Sequence, residues 1–238
     1  MQMKYRIINL DETDSTNRYV RDIAAAGERD ICVIARRQTL GRGRLGRRFE
    51  SPEGGLYMSF VVQSSHDGGD GLTAKAAVAT TRAIENCTGL RCGIKWVNDI
   101  IVSEKKLCGI LTEGVWCGGR AEYFIVGIGV NLHGELPSEL SDIATTVENE
   151  GGRVPDAEIL ARAILGEFLE TDEFFGEYRD RQTLLGHRVT AHRGDESFDA
   201  VFEELSDDFG AVLRLTDGTK MKLSSGEISL RSKNDGRF

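Results

Sequence analysis

Short runs of alternating apolar and polar residues along this chain give way twice to longer stretches with helical spacing. Residues 3–9 alternate and predict a strand, ended by the polar segment Asp11-Glu12-Thr13-Asp14-Ser15. Ser15 or Asp14 can cap a helix that carries Tyr19, Val20 and Ile23 and stops at Gly27. Residues 31–35 and 56–63 predict strands. The alanine-rich stretch 72–88, closed by Gly89, predicts a helix buried on one side. Four strand candidates follow, around 94–96 and at 100–102, 109–115 and 123–130. From Pro155 to about Tyr178 the pattern predicts one amphipathic helix offering Ile159, Leu160, Ile164, Leu165, Phe168, Phe174 and Phe175 for burial.

After about Gly186 the texture changes to five short β-like runs, at 188–192, 198–204, 211–215, 220–223 and 227–230. Turn sequences such as Asp207-Asp208-Phe209-Gly210 divide them, and such spacing predicts a small barrel. The expected architecture is an α/β (α+β) mixed-sheet domain over residues 1–184, followed by a small β-barrel over 185–238. No internal repeat is visible.

Composition narrows the class. The chain has 238 residues, 40% hydrophobic and 29% charged, as expected of a globular protein. No apolar run approaches the ~20 residues needed to cross a bilayer, so no membrane association is expected. The first fifteen residues lack the basic start and apolar stretch of a signal peptide. The five cysteines form no C-x-x-C pair, and His66, His133, His187 and His192 show no metal-ligand spacing. A cytoplasmic setting is the expectation. The net charge of −8 disfavours nucleic acid as a partner. Against that background Arg36, Arg37, Arg42, Arg44, Arg47 and Arg48 form a dense basic cluster.

Within the cluster, Gly41-Arg42-Gly43-Arg44-Leu45-Gly46-Arg47 satisfies G-x-G-x-x-G. The dinucleotide reading fails because Pro52, Gly54 and Gly55 break the helix that must follow. Glycines that let backbone close round a ligand, with guanidinium groups beside them, suit phosphate oxygens instead. Such a loop is expected to be mobile when empty. A solvated basic loop is the alternative. Lys95-Trp96-Val97-Asn98-Asp99 reads as a strand ending either in a hairpin corner or in polar groups near a polyphosphate and its magnesium. Lys106 stands before an apolar strand, with Gly109 three residues later, where a ligand can approach closely. Gly127 and Gly129 clear one face of a strand, leaving either a bulge or room for a flat ligand.

In this order the segments resemble the biotin–protein ligases. The resemblance rests on Glu12-Thr13-Asp14-Ser15-Thr16-Asn17, on Gln38-Thr39-Leu40 with the 41–47 block, and on Lys95–Asp99. It continues through Lys106-Leu107-Cys108-Gly109-Ile110-Leu111, Gly129-Val130-Asn131 and Ser225-Gly226-Glu227-Ile228-Ser229-Leu230-Arg231. It implies a catalytic domain related to class II aminoacyl-tRNA synthetases and lipoate ligases, plus an SH3-like barrel. Because the first motif begins by residue 12, the ligase-only form without a DNA-binding domain is expected.

The implied activity is ATP- and Mg²⁺-dependent activation of biotin to biotinyl-5′-AMP, then transfer to a lysine of a biotin carboxyl carrier protein or domain. The resemblance puts Ser15, Thr16, Asn17 and Gln38 on the biotin ureido group, and Gly109, Gly127 and Gly129 are further biotin-binding candidates. Gly41, Arg42, Gly43 and Arg44 would form the loop over biotin and adenylate. Arg47 would bind phosphate, and Lys106 the carboxylate and α-phosphate, making Lys106, Arg44 and Arg47 the catalytic set. Phe49, Asn98, Asp99 (also the magnesium candidate), Asn131, Glu227 and Arg231 fall on the ATP side. A homodimer is expected by resemblance only. Two departures stand out: Val97 where the family usually has proline, and Phe49 where it has tryptophan. A lipoate ligase or octanoyltransferase and a non-catalytic binding regulator are the competing readings.

Overall fold

The computed structural model describes residues 5–64, 69, 71–193, 196–224 and 229–232. Seven strands form one mixed sheet, ordered β1-β2-β3-β7-β6-β5-β4. They are β1 (Arg6–Thr13), β2 (Ile31–Gln38), β3 (Gly55–Gln63), β4 (Gly93–Lys95), β5 (Asp99–Val102), β6 (Lys105–Cys117) and β7 (Arg120–Asn131). β1 and β2 run parallel and the remaining pairs antiparallel. A second, antiparallel sheet has the order β11-β10-β9-β8-β12. Its strands are β8 (Arg188–Arg193), β9 (Glu196–Leu205), β10 (Ala211–Leu215), β11 (Lys220–Leu223) and β12 (Ser229–Ser232). An α/β body followed by a small all-β unit is the architecture expected from the sequence.

Strand alternation divides the core between the two faces of the large sheet. From β2, Cys32 and Ile34 join the main core with residues of α2 (Leu72–Thr88) and α3 (Ala157–Glu170). Ile31 and Val33 point the other way and pack with Val20 and Ala24 of α1 (Thr16–Ala25). Burying one side chain such as Ile84 contributes about 1.5–3 kcal/mol. Gly89, at φ 80°, ends α2 in the left-handed region that glycine adopts freely. On β7 the α1-side face carries Tyr123 and Ile125, then Gly127 under Asn17 at the start of α1, and then Gly129, past the end of the helix. That glycine stretch lines the site.

The single helix expected from Pro155 to Tyr178 is instead two, α3 and α4 (Phe175–Asp180). Asp156 caps α3 by accepting from the backbone N–H groups of Glu158 and Ile159. Thr171 ends it: its N–H and Oγ1 both donate to Glu167 O, while Arg82 donates to Thr171 Oγ1. Among the described residues no helix is long and apolar enough to cross a membrane.

Candidate active site

One pocket in the large sheet gathers most of the residues singled out by sequence. Ser15, Thr16, Asn17, Gln38, Arg42, Gly43, Arg44, Phe49, Asn98, Lys106, Gly109, Gly127 and Gly129 all line it. Its floor is the glycine face of β6 and β7, where Gly109 and Gly129 are paired neighbours. A Cβ on Gly129 would come within 2.5 Å of the Phe49 ring, and one on Gly109 within 3.0 Å of both Lys106 and Phe49. A Cβ on Gly127 would collide with Asn17 Oδ1. The glycines therefore make room for protein side chains as well as for a ligand.

At one end the chain entering α1 supplies buried Ser15, Thr16 and Asn17. Thr16 N–H donates to Gln38 Oε1 at 2.8 Å, and Gln38 Nε2 donates to Ser51 Oγ at 2.9 Å, which settles the glutamine's orientation. Asn17 is settled too: Nδ2 donates to Glu113 Oε2 at 2.8 Å and Oδ1 accepts from buried Ser59 at 2.6 Å. Ser59 also lies 2.7 Å from the Thr16 hydroxyl. With its proton on Asn17, Ser59 is left to accept from Thr16. This end is thus a neutral, pre-ordered set of donors and acceptors.

The other end is cationic, and a β-bulge builds it. Along β5, Ile100 faces Cys108 but Ile101 faces Lys106, so Leu107 is the extra residue. The skip turns Lys106 from the core face, where Leu107 and Cys108 are buried, to the pocket face with Gly109. Lys106 Nζ lies 2.7 Å from Asp99 Oδ1, an oxygen shielded from solvent. Arg44 donates to Asn98 Oδ1 at 3.0 Å, and burial holds its guanidinium below the usual arginine range while Asp99 opposes that shift.

The basic loop spans the top. Gly43 N–H donates to Arg47 O at 2.7 Å and Phe49 N–H to Gly41 O at 3.0 Å, closing it as a small β-loop bridged at Arg42 and Arg48. Leu45 and Gly46 take positive φ at its tip, 55° and 73°. Gly41 is packed too closely against Phe49 O and Ser51 for any side chain. Gly41 and Arg47 belong to the loop without lining the pocket. In this arrangement the loop is docked, with Arg42, Gly43 and Arg44 lining the pocket.

Asn131 is not among the residues that line the pocket. It is buried and donates to Thr145 O at 3.1 Å, bracing the segment in which Ala144 bridges Lys106. Glu227 lies outside the described residues, and Arg231 falls on β12 opposite Thr190. Ser51, Ser59 and Glu113 were missed by sequence reasoning. They are ordinary strand and loop residues whose partners are 13 to 96 positions away. Val97, reached through a cis peptide bond, is buried, and its carbonyl accepts from Tyr178 Oη at 2.9 Å.

A neutral hydrogen-bonding end, a glycine floor and Lys106 beneath a basic loop that contributes Arg44 define a small-molecule site suited to a polar ring joined to an anion. Residues 10–131 match the model of the biotin/lipoate A/B protein ligase family. The biotin–[acetyl-CoA-carboxylase] ligase of Paracoccus denitrificans is 31% identical over 86% of this chain and 92% of its own length. A solved biotin protein ligase from Aquifex aeolicus, in complex with biotin and ATP, is 31% identical. It superposes with a TM-score of 0.84 over 96% of this chain and 99% of its own. The ligase/repressor BirA of Bacillus subtilis is 36% identical over 65% of this chain, a match that spans half of that longer protein. The chain belongs to the biotin/lipoate A/B protein ligase family.

Proposed function

We propose that this protein activates biotin with ATP and transfers it to a lysine of a carrier protein. The observation that carries the reading is the joining, in one pocket, of the ordered polar end at Ser15, Thr16, Asn17 and Gln38 to the cationic end at Lys106 and Arg44. The names of the relatives support it. Biotin has this polarity: a flat, neutral ureido ring at one end and a carboxylate at the other.

In this reading the ureido group sits against Thr16, Asn17 and Gln38, with Gly109, Gly127 and Gly129 beneath the ring system. The carboxylate oxygen attacks the α-phosphorus of ATP, and pyrophosphate departs. Lys106, with Arg44 and Arg47, stabilises the charge spreading over the phosphate oxygens. Phe49, Asn98 and Asp99 lie at the nucleotide side. Buried polar groups matched to the ureido ring would reject lipoate, which leaves them unpaired. The 41–47 loop covers the mixed anhydride and excludes water. The carrier lysine, neutral when it attacks, forms the amide and AMP leaves. Residues 1–184 would carry this chemistry, with 185–238 as the appended barrel.

Magnesium is implied by the nucleotide. Among the described residues no three His, Cys, Asp or Glu side chains converge, so a protein-built cage does not fit. A Mg²⁺ held mainly by phosphate oxygens with one carboxylate does fit, and Asp99 would be that carboxylate. Bound there, it would screen polyphosphate charge.

The relatives' names point to a carrier domain of a biotin-dependent carboxylase as acceptor. The repressor role in the BirA name is not carried to this chain. The test is exchange of labelled pyrophosphate into ATP with biotin, lipoate or octanoate. Exchange with biotin alone is the expected result. Exchange with lipoate or octanoate instead would move the chain to the lipoate side of the family, and none with any acid would end the ligase reading.

A further inference from the structure

Glu113, on the pocket face of β6, holds three residues of two elements at once, two on α1 and one on the basic loop. Oε2 accepts from Asn17 Nδ2 at 2.8 Å, and Oε1 lies 3.1 Å from Arg21 of α1 and 3.6 Å from Arg42 of the basic loop. The Glu113 side chain is only 18% exposed, against 52% for Arg42. A carboxylate so enclosed requires its donors. It also dictates the asparagine's orientation: being acceptor-only, it can hold Nδ2 and never Oδ1. Oδ1 is thereby turned to Ser59 and into the space that Gly127 leaves free.

We propose that Glu113 is a positioning residue that couples the biotin end of the pocket to closure of the 41–47 loop. This rests on the ligase reading above. Through Asn17 it fixes the polar wall that meets the ureido group. Through Arg42 it ties the loop down over that wall. Arg21 keeps the carboxylate charge compensated when Arg42 moves away, so opening the loop does not strand a buried anion. Neither effect places Glu113 on the reacting atoms. It acts by holding Asn17 and Arg42.

Two substitutions separate the roles. Glu113→Gln can still accept from Asn17 through its amide oxygen but loses both ion pairs. Glu113→Ala loses everything. The parent is first shown to exchange pyrophosphate with biotin; if it does not, the ligase reading fails and this proposal is not what failed. In Glu113→Gln the KM for biotin is expected within about twofold of the parent. Its acceptor-independent biotinylation of bystander protein should rise about two- to fivefold, the scale of a part-exposed ion pair. In Glu113→Ala the leak rises as well, and the KM for biotin climbs about tenfold or more, the scale of a hydrogen bond to a charged group. The parent's leak should grow with salt, while that of Glu113→Gln should not.

A merely structural Glu113 would lower Tm in both variants and leave KM and leak untouched, which would overturn the proposal. Equal KM increases in Gln and Ala would overturn the part played through Asn17. A salt-insensitive parent leak, unchanged in Glu113→Gln, would overturn the part played through Arg42.

Discussion

Arg44 of the basic loop donates a 3.0 Å hydrogen bond to Oδ1 of Asn98, 54 residues further along the chain. Asn98 cannot turn over, because its Nδ2 donates to Ile110 O at 2.9 Å and its own carbonyl accepts from Ile110 N–H at 3.0 Å. A neutral acceptor thus holds a half-buried cation at the cationic end of the pocket. Arg44→Ala is expected to release adenylate, raising biotinylation of bystander lysines. Asn98→Ala keeps the charge but loses its anchor. One hydrogen bond to a charged group is worth about 1.5–3 kcal/mol, roughly ten- to a hundredfold in retention, and this bounds the leak expected from Asn98→Ala. Bystander labelling at the parent level in both variants would separate the loop from adenylate retention.

Lys106 reaches the pocket only through the Leu107 bulge, and its ammonium meets Asp99 at 2.7 Å. Lys106→Ala is expected to reduce pyrophosphate exchange about a hundredfold or more, as removal of a charge-stabilising group does. It also leaves Asp99 Oδ1 shielded and without its cation, a source of instability independent of chemistry. The double variant Asp99→Asn/Lys106→Ala should recover melting temperature but not exchange. Exchange at the parent rate in a folded Lys106→Ala protein would remove the lysine from the reaction.

These relationships show what a single sequence exposes and what it hides. α2 was legible to the residue, Leu72 to Thr88, because alanine spacing and a terminal Gly89 are local signals. The alternate glycines 127 and 129 marked the floor for the same reason. The bulge at Leu107 left no local mark, since it exists only in the register between β5 and β6. The helix break at Thr171 depends partly on Arg82, 89 positions earlier, so periodicity alone ran the helix through to Tyr178. Glu113 and Ser59 acquire meaning only when α1 brings Asn17 between them. Asn131, placed on the nucleotide side by resemblance, is buried and holds Thr145 O, a contact between residues 14 positions apart that no local signal marks.

Phe209 links the C-terminal sheet to the site. It occupies the turn between β9 and β10 at φ 64°, stacks on Phe174 at 5.4 Å and meets Phe175 and Tyr178 edge-on. Its carbonyl accepts from Trp96 Nε1 at 3.0 Å, two residues before Asn98. Phe209→Ala removes the ring from this aromatic nest and is expected to cost about 3–5 kcal/mol. Phe209→Gly relieves the positive φ while losing the same ring, so it should cost somewhat less than alanine. Urea unfolding of both variants measures the order. A loss below about 1 kcal/mol in each would mean that the two sheets are held together by other contacts.

Thiol chemistry offers a readout of core integrity that does not depend on activity. Cys32, Cys92 and Cys108 are buried, while Cys117 is exposed. Burial pushes the Cys32 and Cys92 thiols up to about 12 from an ordinary 9.0; Arg162 opposes the rise at Cys32, while at Cys92 Glu85 adds to it and Arg181 opposes it. The nucleophile is the thiolate, so native protein at pH 8 should be alkylated rapidly at Cys117 and hardly at all at Cys32, Cys92 or Cys108. The sign of the pH effect follows from the same shift. Between pH 9 and 12 the unfolded chain binds fewer protons at these cysteines than the folded one. Their contribution to stability is therefore complete below pH 9 and is lost as pH rises towards 12. Mass spectrometry after timed alkylation checks the first expectation, and urea midpoints from pH 8 to 11 the second. Rapid labelling of Cys32 in protein that retains its native midpoint would show that the face of β2 beneath α2 and α3 opens without unfolding.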